Sequence, residues 1–155
     1  MLHAFGTLET PIGLLWVVVS SAGLVSITRG ELPPAGAEAD AGAVAPVLDE
    51  LDAYFAGQLR EFSVDLDLTG AAAFDAEVWT AARGIRYGET VSYGELAMIA
   101  GHPAAARAVG GSLARCPVAP VVPCHRVIHA DGSIGGWGSE PWVKRWLLDL
   151  ERGGS

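Results

Sequence analysis

Between residues 96 and 130 this chain has no aspartate and no glutamate, although it carries 18 acidic residues and a net charge of −8. Cysteine is scarce as well: Cys116 and Cys124 are the two in the chain. Two thiols so close in sequence make no disulfide framework, and without a CxxC pair no metal site is expected. No apolar run reaches membrane-spanning length, and Met1-Leu2-His3 lacks the basic start of a signal peptide. The simplest reading is a reduced, cytoplasmic protein with no membrane partner. Basic residues are few, only 10, which argues at first sight against nucleic acid. Their placement weakens that objection. Residues 1–70 hold two basic side chains, Arg29 and Arg60, against ten acidic ones, whereas residues 71–155 hold eight of each. A local phosphate-binding face is compatible with this balance; strong electrostatic steering is not.

What is present is enough for a packed protein. The 155 residues are 50% hydrophobic, which supports one good core or two small subdomains. The first thirty residues read as β structure: a β-branched and aromatic run over 13–19, a turn over 20–23, then alternation over 24–28. Residues 30–45, rich in Gly, Pro and Ala, read as a surface loop. A helix follows, with Val47, Leu48, Leu51, Tyr54 and Phe55 on one face, and Gly57 ends it. Residues 62–68 alternate and predict a half-exposed strand.

Beyond residue 70 the character shifts. Phe74, Val78, Trp79, Ala81 and Ala82 form a helical stripe. A short helix over 96–100 is broken by Gly101-His102-Pro103, and Pro103 suits the first turn of a second helix running to about Ala114. Helix, tight turn, helix is the helix-turn-helix pattern, which many helical cores also show. A glycine-rich turn over 131–138 and a last helix over 141–152 complete the chain. The fold class expected is α+β. A small N-terminal α/β module (a sheet with a helix, 1–70, structural) packs on a mostly helical C-terminal domain with a helix-turn-helix (71–155).

The chemistry concentrates at Pro123-Cys124-His125-Arg126-Val127. A thiol is nucleophilic only as thiolate, and at an ordinary pKa near 8.5 only ~3% is ionised at pH 7. Arg107, Arg115 and Arg126, in a window without acids, are expected to lower that value. The plainer alternative for an isolated Cys-His pair is a buried structural cysteine. The second helix of the pair is unusual too: from Ala104 to Ala114 it has one long polar side chain, Arg107, among Ala, Gly, Val, Ser and Leu. A major-groove reader needs several base-facing polar side chains. A helix stripped this far is thin enough for a widened minor groove, ~6 Å across in ordinary B-DNA, and its arginine can enter the base stack. Close helix–helix packing explains the same composition.

Taken together, Phe74, Val78-Trp79, Tyr87-Gly88, Ser92-Tyr93-Gly94-Glu95-Leu96-Ala97, Ala106-Arg107-Ala108-Val109-Gly110, Pro123-Cys124-His125-Arg126-Val127-Ile128, Gly135-Gly136, Lys144, Leu147-Leu148 and Glu151 resemble the 6-O-alkylguanine-DNA alkyltransferases. The resemblance covers about residues 72–152. It implies direct repair of double-stranded alkylated DNA, bound through the minor groove by a monomer. The alkyl group of a flipped-out 6-O-alkylguanine, with 4-O-alkylthymine a second candidate, passes irreversibly and once per molecule to the protein, without cofactor or metal. In this reading Cys124 is the acceptor, His125 its base through a bound water, and Glu151 the group that orients His125. Tyr93 donates a hydrogen bond to the leaving base. Arg107 fills the gap in the stack, with Ala106, Ala108, Gly110, Ser112 and Ser92 along the DNA. Tyr93, Val127, Gly136, Trp137, Gly138, Ser139 and Leu113 line the base pocket.

The chain departs from the family pattern in places. Cys116 stands where an asparagine usually couples the recognition helix to the active-site loop, and a thiol is a poor hydrogen-bonding substitute. An inert thiol is the reading preferred for Cys116 over a second nucleophile. Trp137 replaces a tyrosine, and Gly138-Ser139-Glu140 replaces a glycine pair. Two other functions compete: a lesion sensor that binds without repair, and a cysteine hydrolase using Cys124, His125 and Glu151. A sensor does not need Cys124. A hydrolase leaves the small-residue helix and Arg107 without a role.

Overall fold

The computed structural model describes residues 3–30, 33–135 and 140–153. The chain divides into two compact units, Met1–Thr69 and Gly70–Ser155. In the first, β1 (His3–Thr10), β2 (Gly13–Ser20) and β3 (Gly23–Arg29) form an antiparallel meander. A short β4 (Ala37–Ala39) adds parallel to β1, so the order is β3-β2-β1-β4. Leu15, Val17, Val18 and Val19 of β2 are buried, as the apolar run requires of a central strand. Helix α1 (Ala41–Phe55) packs on β1 and β2 through Val44, Val47, Leu51, Tyr54 and Phe55, one stripe at helical spacing.

Two expectations for this unit need correction. Residues 30–45 are not one loop: β4 lies within them, and α1 begins at Ala41 rather than at Val47. The Asp40 carboxylate caps α1 by accepting from the Ala43 amide at 3.1 Å. Pro46 sits inside the helix and forfeits one backbone hydrogen bond, a loss offset by the cap and by complete burial of Val44. Residues 62–66 show the expected alternation of exposure, residues 66–68 are all half-buried, and there is no ladder. Their backbone makes a single bridge, Leu24 to Leu66, closed by Leu24 N–H to Asp65 O and Asp67 N–H to Leu24 O, both 2.8 Å. The amides of Ser63 and Val64 donate instead to the Glu50 carboxylate, at 3.0 and 3.2 Å. A side chain from α1 thus takes the place of a partner strand.

The second unit is mostly helical: α2 (Ala73–Arg83), α3 (Tyr93–Ile99), α4 (Ala106–Ala114) and α5 (Pro141–Glu151). Two minimal strands, β5 (Val91–Ser92) and β6 (Val127–Ile128), pair in parallel with Val91 opposite Val127. The α+β class expected from the sequence is the one observed. Helix α3 starts at Tyr93, earlier than the expected 96, because Ser92 and Glu95 form a reciprocal capping box. Helix α4 starts later than expected. Pro103 lies in a turn outside it, and Ala105 caps the helix without any side-chain bond. Among the described residues no helix is long and apolar enough to cross a membrane.

The tightest constraint in the first unit is Gly6 on β1. A methyl group placed there meets Val44 Cγ2 of α1 at less than any real contact distance. Gly6→Ala is therefore expected to lower stability by about 1–3 kcal/mol through overpacking. Urea denaturation measures it; an unchanged midpoint would show that α1 shifts freely over the sheet.

Candidate active site

The site is built around one tight turn. Residues Val118, Val121 and Val122 are buried and lead to Pro123. Pro123 has φ −81° and ψ 65°, and Cys124 N–H donates to Val122 O at 2.8 Å. That is an inverse γ-turn, and proline supplies its φ without cost. A single 3-10 turn follows, Cys124–Arg126, closed by Arg126 N–H to Pro123 O at 2.9 Å. Strand β6 continues from it, and its pairing with β5 carries Ser92 and Tyr93 alongside the cysteine turn. Cys124, His125 and Arg126 are all buried.

The last residue of α5 holds this turn. Glu151 Oε2 lies 2.6 Å from His125 Nε2, and its carboxylate accepts from Arg126 Nε at 2.7 Å and from Arg126 NH2 at 2.9 Å. It also accepts from the Gly88 amide at 3.3 Å. A carboxylate already taking a bidentate guanidinium is an acceptor only, so the proton of the neutral imidazole sits on Nε2. The buried Nδ1 is then the basic nitrogen. Burial holds His125 below its ordinary pKa, partly opposed by Glu151, so the ring is neutral at physiological pH. Arg126 NH1 donates to Ile85 O at 2.6 Å, and its guanidinium lies 5.6 Å from the Tyr87 ring centre.

Lys144 and Tyr93 form the other wall. Lys144 is 1% exposed, seven residues before Glu151 on the buried face of α5. Its ammonium donates to Val127 O at 2.7 Å and to the Tyr93 hydroxyl at 3.5 Å. Burial lowers its pKa to about 8, with the charge of Cys124 acting in the other direction. Tyr93 is raised, first by burial and then by Cys124, which keeps its O–H a donor. Its ring rests 5.1 Å from that of His129.

The thiol's surroundings correct one expectation. The arginines of the acid-free window do not lower the pKa of Cys124. Arg126 is committed to Glu151 and Ile85, Arg115 pairs with Asp75 at 2.8 Å, and Arg107 is exposed on α4. The Cys124 thiol is raised well above its ordinary value, first by its hydrogen bond with the Cys116 thiol and then by burial. The cation it feels is Lys144. Cys116 shifts the opposite way, lowered by the same bond and by the Val118 amide.

Of the residues singled out from sequence, Cys124, His125, Glu151, Tyr93, Val127 and Cys116 are brought together. Leu113 is buried on the inner face of α4. Gly110 is half-buried, with room at its Cα only for an ordinary contact of 3.8 Å with the Tyr93 ring. Arg107 and Ala108 are exposed and Ala106 is half-buried. Ser112 needs correction: it is completely buried and its carbonyl accepts the Trp79 indole N–H at 3.0 Å, so it does not face outward. Val109, Ser112 and Leu113 make one inner stripe on α4 at helical spacing. The Ser92 hydroxyl accepts from the Glu95 amide at 3.0 Å as an N-cap. Gly136, Trp137, Gly138 and Ser139 lie outside the described residues. Sequence reasoning gave no role to Lys144 or to the Arg126–Glu151 pair. The available signal was a lysine on the apolar face of an amphipathic helix, in register with Glu151.

Two consequences are measurable. Removing the carboxylate with Glu151→Ala strands the buried Arg126, and the fold is expected to lose about 3–5 kcal/mol; a loss below 1 kcal/mol would mean that the network relaxes into water. His125 is depressed in the fold, so below its unfolded pKa of about 6.5 the unfolded chain binds more protons. Stability should therefore fall as pH drops from about 6.5 to 5.5. Denaturant midpoints across that interval, flat in His125→Gln and sloping in the natural chain, check the assignment.

Known proteins resemble the chain over both of its halves. Residues 73–153 match the family described as 6-O-methylguanine DNA methyltransferase, DNA binding domain, and residues 4–68 match its ribonuclease-like domain. The methylated-DNA–protein-cysteine methyltransferase of Mycobacterium tuberculosis is 44% identical over 98% of this chain and 93% of its own. The DNA base-flipping protein of Thermus thermophilus is 41% identical over 93% of this chain and 97% of its own. The solved structure of Mycobacterium tuberculosis OGT in complex with DNA matches with a TM-score of 0.89 and 42% identity, covering 100% of this chain and 95% of that one. Two matched halves and relatives this similar over nearly the full length place the chain in the 6-O-methylguanine DNA methyltransferase family.

Proposed function

We propose that this chain repairs alkylated DNA directly, moving the alkyl group of a flipped-out 6-O-alkylguanine onto Cys124 once per molecule. The observation that carries the reading is a buried thiol next to a neutral histidine whose tautomer is fixed by Glu151 at 2.6 Å. In the proposed step the Cys124 proton passes through a water to His125 Nδ1. The sulfur forms a bond to the alkyl carbon while the carbon–oxygen bond breaks, and the electron pair moves into the guanine. Tyr93, kept protonated and contacted by Lys144, donates a hydrogen bond to the charge growing on that base. The product is a thioether, so the protein is consumed and no cofactor takes part.

The target atom lies inside the duplex, and extruding the base costs a few kcal/mol. Arg107, exposed on the small-residue helix α4, is the side chain proposed to fill the vacated stack from the minor groove. Ala106 and Ala108 flank it and let the backbone approach closely. Val127 and Leu113 bound the base pocket, with residues 136–139 as its proposed lip. The protein acts as a monomer, and a cytoplasmic setting, where thiols stay reduced, suits its chemistry. A sensor that binds alkylated DNA without repairing it has no use for Cys124 and its histidine.

Incubation with duplex DNA carrying one 6-O-methylguanine, followed by peptide mass analysis, tests the reaction. The expected result is a gain of one CH2 on the Cys124 peptide, saturating at one per protein and absent in Cys124→Ser. Tight lesion binding with no mass gain would favour the sensor. Arg107→Ala should slow repair of duplex by about ten- to hundred-fold, matching ~1–3 kcal/mol of stacking. It should slow reaction with the free alkylated base far less. Equal slowing on both would remove Arg107 from the extrusion step.

A further inference from the structure

The turn that follows β6 puts a second ring against Tyr93. His129 N–H donates to Ser133 O at 2.9 Å, and Gly132 N–H donates to His129 O at 3.0 Å, so the chain folds back directly after the strand. Asp131 stiffens this turn by accepting from the Ser133 amide at 2.9 Å and from its hydroxyl at 2.7 Å. His129 is exposed, yet its ring centre lies 5.1 Å from that of Tyr93, with 48° between the planes. A Cβ built on Gly135 would stand 3.0 Å from His129 Nε2 and 3.1 Å from the Tyr93 hydroxyl. The imidazole edge and the phenol oxygen therefore converge on one glycine, whose φ of +75° also favours glycine. Two other elements meet the Tyr93 ring: α4 through the backbone of Gly110, and α5 through the Lys144 ammonium, 5.7 Å from the ring centre.

We propose that His129 is a positioning residue for alkyl transfer, holding the Tyr93 ring so that its hydroxyl stays aimed at the departing base. The proposal rests on the reading of this chain as a 6-O-alkylguanine repair protein. A hydrogen bond weakens steeply once its angle falls below ~120°, and a donor stabilises developing charge best when it is in place beforehand. The backbone of Tyr93 is fixed at the first position of α3 by the capping box. Its phenol still turns about two side-chain bonds unless neighbours hold it. Gly110 has no side chain to grip the ring, and Lys144 reaches the hydroxyl only at 3.5 Å, the outer limit of a hydrogen bond. The His129 ring supplies a restraint that these two do not. Tilted rings at this separation attract one another beyond the area they bury, and the stiff turn keeps the imidazole where that contact is made. The role belongs to the ring, so it passes to any residue that keeps a ring there.

The test measures single-turnover methyl transfer to the full chain from duplex DNA carrying one 6-O-methylguanine, and from the free 6-O-methylguanine base. His129→Ala is expected to slow transfer at saturating duplex by about three- to tenfold, the range an aromatic pair supplies. The DNA concentration giving half-saturation should not change. The free base should be slowed equally, which separates an effect in the pocket from a lost DNA contact. His129→Phe, which keeps a ring against Tyr93, should recover most of the rate. In a Tyr93→Phe background His129→Ala should cost less than about twofold, because the hydroxyl to be aimed is gone. General loosening of the site would cost the same in both backgrounds. Transfer by His129→Ala as fast as by the natural chain, slowing on duplex alone, or an undiminished loss beside Tyr93→Phe overturns the proposal. The natural chain decides the underlying reading separately. No methyl on its Cys124 sinks both, whereas equal transfer by the natural chain and His129→Ala sinks the positioning role alone.

Discussion

The site depends on one carboxylate. Glu151 ends α5, yet its oxygens meet the cysteine turn through His125 and Arg126 and the segment after α2 through the Gly88 amide. Burying such a group is costly unless every lone pair is used, and here the guanidinium, the imidazole and an amide use them. Replacing the whole cluster by packed hydrocarbon could give an equally stable core. What hydrocarbon cannot do is choose a tautomer. The ion pair with Arg126 makes Glu151 purely an acceptor, which assigns the imidazole proton to Nε2 and basicity to Nδ1. In the proposed reaction this assignment turns a structural cluster into a base. Arg126 acts at one remove, on the carboxylate and not on the sulfur.

The resting thiol is not an activated one. Burial and the Cys116 contact favour protonated Cys124, and the nearby Lys144 only partly opposes them. A reagent that is used once gains from this. A standing thiolate reacts with any electrophile that reaches it, whereas a thiol that loses its proton as the substrate is attacked spends itself on substrate. In the proposed reaction Lys144 acts at the same moment. Its ammonium bonds both the carbonyl of the strand beside the cysteine and the tyrosine hydroxyl. Its lowered pKa shows what its burial costs.

Much of this was readable in the sequence, and the failures have identifiable causes. The β-rich start, the apolar stripe of α1 and the last helix depend on local patterns, and they appear as patterned. Residues 62–68 carried the right alternation, but strand identity requires a partner backbone, and Glu50 supplied side-chain oxygens in its place. Residues 30–45 read as a loop because the sequence does not display the burial of Val44 that anchors the start of α1. Within the site, Cys124, His125, Tyr93 and Glu151 were found through the motif. The source of positive charge was misassigned, because counting arginines in a window says nothing about which carboxylates they meet in space. Lys144 lies twenty residues from Cys124 in sequence and reaches it only through the way α5 packs.

In the proposed reading helix α4 meets DNA without a basic surface. Its inner stripe, Val109, Ser112 and Leu113, is consumed by packing, and Gly110 leaves room for the Tyr93 ring. The outer stripe then has to be small if the helix is to enter a groove, and Ala106 and Ala108 meet that need on either side of Arg107. Arg115, at the helix C-terminus, is already paired with Asp75. In the proposed complex phosphate neutralisation therefore contributes little, and shape and stacking contribute more. The same economy explains the acid-free window. Where a helix offers one cation to a polyanion, a single misplaced carboxylate cancels it. In that reading the depletion of Asp and Glu over residues 96–130 is the counterpart of presenting Arg107 to DNA.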